Sequence, residues 1–502
     1  MKSRIYLAAD LGASGGRVIA GRFDGRKIEL DEFSRFEHNA EEINGGFYWN
    51  ISVLWQGVLN GLEVAKEKLG TAPTSIGVDT WAVDFVLLDE TDQPIGDHTA
   101  AVSYRDPRTD GMIEKALEVV PRFEIFEHSG LQFMQFNTLF QLLALKQKNP
   151  EVLEKAKSFL MIPDFFNYKL SGKKFNEFTN ATTTQLFNPA AKQWSEFLLD
   201  KFGFPREIFL DIVQPFTDLG KVDLSNVSIS GLSDLRVIVP GTHDTASSVF
   251  SVPATGRLGE CDWCYICLGT WALIGVESLS PIMSREVYDL NFTNEGGVGG
   301  TTRVLKNVTG LWLLQECRRI WNERGRNLQW NDMNELIRNA VPLRSLVDPD
   351  NREFLCPTDM PEAIADFCKN TNQHVPANEG EILRCAIDSI AVRIGQVLEM
   401  CEQITGKNIK TIHIVGGGSK NHLLCQAIAD AAARPVLAGP VESTAIGNIM
   451  CQAIAIGDVE NIGQAREIIR NSFELTKFIP NNENKDKWKQ ASEFIRKLKE
   501  NF

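Results

Sequence analysis

The stretch Asp10-Leu-Gly12-Ala-Ser14-Gly15-Gly16-Arg17 closes an apolar run with a carboxylate and a glycine turn. Glycines at this spacing let the backbone make a tight hairpin whose N–H groups converge, as a chain of phosphates requires. No Gly-Lys-Ser/Thr follows, so this is not a P-loop. The residues Arg17–Arg22 read as a strand where a dinucleotide fingerprint demands a helix. Asp10, at a strand end beside the turn, fits a Mg²⁺ held through water, because that ion keeps much of its hydration. The alternative is a plain β-hairpin with Asp as a turn residue.

A second polar cluster, Gly241-Thr242-His243-Asp244-Thr245-Ala246-Ser247, sits between a short strand and an apolar segment. There Asp244 is placed to accept a hydroxyl proton and His243 to hold a substrate oxygen. The competing role for Asp244 is a helix cap. The third candidate, Gly416-Gly417-Gly418-Ser419, lies between a strand and a helix, where small residues admit a flat ring close to the backbone. The run Cys261-Asp-Trp-Cys264-Tyr-Ile-Cys267 has the look of a metal triplet. It lacks the further Cys-Pro of an iron–sulfur site, and Tyr265, Ile266 and Leu268 argue for a buried strand with core thiols.

These turns need elements to hold them. Short apolar β-rich runs alternate with longer helical patterns along the chain, which predicts an α/β protein. Strands are expected at Arg4–Ala9, Arg17–Arg22, Ile28–Phe36, Ser75–Asp79 and Phe85–Leu88, and a helix over Trp49–Leu69 with Val53, Leu54, Val58, Leu62 and Ala65 on one face. Residues Thr138–Leu170 read as mostly helical. In the second half, short strands precede Gly241 and Gly269. Ile382–Ile404 forms a long amphipathic helix, Lys410–Val415 a strand, Asn421–Ala433 a helix, and Lys485–Phe502 a packing helix. A strand ending in a glycine turn once per half points to a duplicated fold.

The chain has 502 residues, with 52 Lys+Arg against 65 Asp+Glu for a net charge of −13. That length favours two domains, and the composition is that of a globular protein. The acidic balance argues against nucleic acid and membrane surfaces as partners. The apolar run at Ile5–Ala9 is too short for a signal-peptide core, and ten cysteines with none before Cys261 read as reduced thiols, so the expected location is cytoplasmic.

Taken in order, the Asp-x-Gly hairpin, the mid-chain Gly-Thr turn and the Gly-Gly-Gly turn resemble the actin-like ATPase superfamily. The resemblance narrows to the FGGY carbohydrate kinases. It is carried by Ala9–Arg17, Ile76-Gly-Val-Asp-Thr-Trp-Ala-Val-Asp-Phe85, Tyr104–Thr109, Phe136–Leu142, Met161–Asp164 and Asn176–Leu186. It continues through Gly241–Ala246, Gly269-Thr-Trp271, Asn307–Gln315 and Ala438–Glu442, and so covers nearly the whole chain. Two of these runs, Thr-Thr-Thr-Gln and His-Asp-Thr, are similar to the branch that acts on L-rhamnulose.

This resemblance implies two actin-like (ribonuclease H-like) lobes with a cleft between them: residues 1–248 for sugar and the phosphate hairpin, 249–502 for nucleotide. It implies transfer of the ATP γ-phosphoryl group to the 1-hydroxyl of L-rhamnulose, in L-rhamnose catabolism, with Asp244 as general base and Mg²⁺ as cofactor. ATP contacts carry over to Ala13, Ser14, Gly15, Gly16, Arg17, Thr270, Gln315 and Gly417, and sugar contacts to Ala82, His243, Thr245 and Asn307. At Ala82 the family has glycine, and the added methyl narrows the sugar pocket. Arg105, Asp106 and Arg108 either line the sugar entrance or form a surface ion-pair cluster, and Trp81 either stacks on the sugar or packs in the core. L-Fuculokinase, xylulokinase and glycerol kinase activities are the nearest alternatives, followed by a non-kinase actin-like ATPase. The assembly is expected to be a monomer or homodimer.

Overall fold

The computed structural model describes every residue except 1–3, 224, 228, 230, 261, 356 and 502, so Cys261 lies outside the described residues. The chain divides into two units. The first comprises Met1–Gly259, Glu277–Val304 and Ser443–Phe473, and the second Glu260–Val276, Leu305–Glu442 and Glu474–Phe502. The first unit thus gathers two later stretches of chain, Glu277–Val304 and Ser443–Phe473, onto its N-terminal part.

In the first unit, β1 (Arg4–Gly12) and β2 (Gly15–Phe23) form the glycine hairpin, and β3 (Ile28–Glu37) extends it antiparallel. β4 (Ser75–Thr80) lies parallel to β1, and β5 (Asp218–Lys221) with β6 (Arg236–Ile238) completes the order β5-β6-β4-β1-β2-β3. Because side chains alternate across a strand, β1 is apolar on both faces. Leu7, Ala9 and Leu11 join Leu54, Val58 and Leu62 of helix α1 (Ile51–Leu69) in one core. Tyr6 and Ala8 join Ala445, Ile446 and Ile449 in another. Each fully buried Leu or Ile side chain contributes about 1.5–3 kcal/mol. Asn50 caps α1 by accepting from Val53 N, and Gly70, at φ 61°, ends it.

Helix α2 (Asp244–Phe250) opens at the second polar cluster. A later segment, helix α5 (Ser443–Ile456), presses directly against it. Gly447 makes this possible, since a Cβ there would sit 1.8 Å from the Ser247 carbonyl oxygen.

In the second unit, β7 (Trp263–Leu268) pairs antiparallel with β8 (Trp271–Ser278) and parallel with β10 (Thr411–Val415). With β9 (Thr302–Thr309), β11 (Val436–Ala438) and β12 (Thr476–Phe478), the strands run β9-β8-β7-β10-β11-β12. Both sheets set an antiparallel hairpin beside a strand parallel to its first arm, which bears out the duplication read from the two glycine turns. The 27-residue helix α3 (Glu379–Thr405) and α4 (His422–Ala432) flank this sheet. Cys264 and Cys267 lie on β7, outside any disulfide, the first fully buried. Among the described residues no helix is long and apolar enough to cross a membrane.

Candidate active site

The site in the first unit starts at the end of β1. Asp10 sits directly across β2 from Arg17, and the two form an ion pair with the carboxylate almost buried. On its other side Asp10 stands in register with Asp79 at the end of β4. Asp79 is fully buried. Its Oδ2 accepts a hydrogen bond from Asn448 Nδ2 at 2.6 Å, while its Oδ1 has no hydrogen-bond partner among the described residues. Burial, and next the charge on Asp10, hold the Asp79 carboxyl well above the usual range. The sequence reading passed over Asp79, although Ile76-Gly-Val-Asp79 repeats the strand-to-aspartate ending of β1.

Beside β4 the chain at Thr242–His243 runs parallel to it: Thr80 N donates to Thr242 O at 2.9 Å. The buried Glu177 holds this segment, its Oε2 accepting from Thr242 N at 3.2 Å and Thr242 Oγ1 at 2.6 Å. It also takes donors from Thr179 and Asn180, and Thr179 Oγ1 in turn accepts from His243 N at 3.2 Å. The start of α2 is thereby fixed. Asp244 is the first residue of that helix, and its Oδ1 accepts from Thr245 N at 2.5 Å and Thr245 Oγ1 at 3.1 Å. Burial, and next the charge on Asp10, push Asp244 up to about 6, although a third of its side-chain surface stays accessible. A carboxylate near neutrality suits proton abstraction.

His243 is packed between charged groups. Its Nε2 is 3.4 Å from Asp244 Oδ1, and its Nδ1 is 3.0 Å from Arg303 Nη2 and 3.5 Å from Glu295 Oε2. Burial and the Arg303 charge lower its pKa well below the ordinary value, so the ring is neutral. Arg303 is fully buried and also donates to Gly296 O at 2.8 Å. Neither Arg303 nor Glu295 was singled out in the sequence, since nothing in their local spacing marks them.

Ala82 follows β4 and is half-buried. Next to it, Asp84 is a fully buried acceptor: Trp49 Nε1, Trp81 Nε1, Tyr104 N and Gln141 Nε2 donate to it at 2.6, 2.9, 3.1 and 2.9 Å. Burial pushes Asp84 up to about 6 against those bonds. Trp81 is itself 5% exposed and its ring lies 4.6 Å from that of Trp49, so it is a core residue. Burial raises the Tyr104 phenol against the charge and hydrogen bond of Arg105, and the charges on Asp84 and Asp244 add to the rise. Of the Arg105, Asp106 and Arg108 cluster, Asp106 is buried and pairs with Arg108 at 2.9 Å, while its other oxygen holds Phe47 N.

In the second unit, the Gly269–Thr270 turn accepts backbone hydrogen bonds from Gly310, Leu311 and Trp312. This brings Thr270 Oγ1 to 3.0 Å from Gln315 Oε1. Gly418 packs on Leu268 so closely that a Cβ would lie 2.4 Å from the leucine side chain, whereas a Cβ on Gly417 would meet nothing within 4 Å. Thr270, Gln315 and Gly417 therefore gather around one end of β7, with open space over Gly417. Asn307 is half-buried on β9.

Asp10 and Asp244 both act on Asp79 through their charges, and a buried Asp79 oxygen without a hydrogen-bond partner among the described residues fits a hard cation. No group of three His, Cys, Asp or Glu among the described residues is arranged to hold a metal ion.

Comparison with known proteins shows the family. Residues 5–251 match the N-terminal domain, and residues 264–456 the C-terminal domain, of the FGGY family of carbohydrate kinases. A rhamnulokinase of Halalkalibacterium halodurans is 44% identical over 473 residues, covering 94% of this chain and 98% of that protein. One from Oceanobacillus iheyensis is 44% identical over 469 residues, 93% of this chain and 97% of that protein. The solved gluconate kinase of Lactobacillus acidophilus superposes with a TM-score of 0.80 at 15% identity, covering 99% and 98% of the two chains. With both family halves matched in order along one polypeptide, the chain belongs to the FGGY family of carbohydrate kinases.

Proposed function

We propose that this carbohydrate kinase transfers the γ-phosphoryl group of ATP to the 1-hydroxyl of L-rhamnulose, with Asp244 as general base. The observation that carries the chemistry is Asp244 at the start of α2, pushed up to about 6 and 3.4 Å from a neutral His243. The substrate rests on the rhamnulokinases at 36–44% identity. The sugar O1 attacks the γ-phosphorus as its proton passes to Asp244, the Pγ–O bond to ADP breaks, and L-rhamnulose 1-phosphate and ADP leave. Such transfer is chiefly positioning and charge neutralisation. His243, Thr245, Ala82 and Asn307 are assigned to the sugar, and the Ala13–Arg17 turn with Thr270, Gln315 and Gly417 to the nucleotide. Asp10 would hold the waters of Mg²⁺, which when bound neutralises phosphate charge. Arg17 orients Asp10 by pairing with it.

An ADP-release assay over L-rhamnulose, L-fuculose, D-xylulose and glycerol tests this. We expect turnover that depends on added Mg²⁺ and is fastest with L-rhamnulose, and for Asp244→Asn a fall in kcat of about 10²–10⁴. A faster rate with another acceptor overturns the substrate, and near-normal turnover by the variant overturns the base.

A further inference from the structure

We infer that Arg303, balanced by Glu295, is a positioning residue that locks His243 in the neutral tautomer with its proton on Nε2, aimed toward Asp244. A guanidinium carries only donors, so the 3.0 Å contact from Arg303 Nη2 to His243 Nδ1 requires Nδ1 to be the acceptor. In a neutral imidazole the proton then sits on Nε2, and Nε2–H faces Asp244 Oδ1. The competing partner for Nδ1 is Glu295 Oε2, which at 3.5 Å is too far for a good hydrogen bond and stands 3.1 Å from Arg303 Nη2 instead.

The three side chains are almost sealed from solvent: Arg303 0%, His243 6% and Glu295 7% exposed. Thr182 Oγ1 accepts from Gly296 N at 2.7 Å and ties the Glu295 segment to Glu177's neighbours, so the whole set is held from both sides. The 3.4 Å gap between His243 Nε2 and Asp244 Oδ1 leaves the Nε2 proton only weakly used. A sugar hydroxyl oxygen is the natural acceptor for it, and that same hydroxyl then points its own hydrogen at the Asp244 carboxylate. Arg303 thus acts on the acceptor alcohol without touching it. This catalytic consequence rests on the proposed kinase reading of Asp244, whereas the tautomer does not.

The test is ¹⁵N–¹H correlation of protein labelled at its histidine rings, in the presence and absence of sugar. His243→Gln identifies the His243 signals among the seven histidines. The expected wild-type pattern is a protonated Nε2 and a bare Nδ1. A protonated Nδ1, or a doubly protonated ring at neutral pH, overturns the inference, and this result needs no Arg303 variant to fold. In the paired variant Arg303→Met with Glu295→Gln, the ring signals should shift to a tautomer mixture, with kcat for the sugar falling up to about 100-fold. The KM for ATP should change little. Arg303→Lys keeps a donor and should restore both the spectrum and most of kcat. A double variant that keeps the wild-type ring pattern also overturns the inference. Should Asp244→Asn retain turnover while the ring pattern holds, the base assignment fails and the tautomer assignment stands.

Discussion

Asn448 Nδ2 donates to Asp79 Oδ2 at 2.6 Å, joining residues 369 positions apart in the chain. The same amide also lies 3.1 Å from Gly77 O, and its carbonyl accepts from Gln452 Nε2 at 2.7 Å. One side chain on α5 therefore satisfies the strand that carries Asp79 and lowers the cost of a buried carboxyl beside Asp10.

Replacing Asn448 with Ala leaves these groups buried without partners. The expected loss is about 1–3 kcal/mol in stability, read by urea unfolding, together with reduced turnover because Asp79 adjoins Asp10. Unchanged unfolding would show that water replaces the amide at no cost.

The acid limb of activity should report Asp244. The working form is the carboxylate, and its pKa is pushed up to about 6. kcat/KM should therefore fall as pH is lowered through about 6 and level off above it. Since Asp10 is the second cause of the upward push, Asp10→Asn should move the limb to lower pH even as the rate drops. A limb that stays in place assigns it to another group.

Asp84 gives a stability signature of its own. Its pKa is raised from 3.8 to about 6, so the native state takes up its proton more readily than the unfolded chain. The stability this provides is complete below the unfolded value and lost as pH rises through about 6, a change of about 3 kcal/mol. Wild type measured against Asp84→Asn by denaturant unfolding should lose relative stability between these limits and stay level above them. A flat difference would place the charged form at no disadvantage inside the Trp49–Trp81–Gln141 cage.

Gly447→Ala places a methyl group on the Ser247 backbone rather than on a flexible side chain. Helix α2 must then shift, carrying Asp244 with it. Stability should fall by about 1–3 kcal/mol, and kcat should fall further than a remote substitution of equal cost. Equal melting temperature and kcat would mean that α5 slides without disturbing α2.

What was legible in the sequence was whatever depends on neighbours. The β1–β2 hairpin follows from glycines flanking two residues, and β3 from alternation over Ile28–Phe36. Helix α3, expected over Ile382–Ile404, spans Glu379–Thr405 because Asn378 caps it and Gly406 ends it. The region Thr138–Leu170 reads as helical, but Ser158–Met161 pairs antiparallel with Phe85–Leu88, a partner that helical patterning cannot reveal. His243 and Asp244 stand out because the turn before them is polar and glycine-led. Asp79, Asn448, Glu177, Glu295 and Arg303 do not, because each acquires its role from a residue far away in the chain. The metal-like spacing of Cys264 and Cys267 dissolves for the opposite reason, since β7 turns residues three apart to opposite faces.

The return of Ser443–Phe473 to the first unit has a consequence for biosynthesis. When the ribosome has delivered only the N-terminal half, Tyr6, Ala8, Ile19 and Phe23 still await Ala445, Ile446 and Ile449. Removing residues 443–473 would strip that sheet face of its apolar cover.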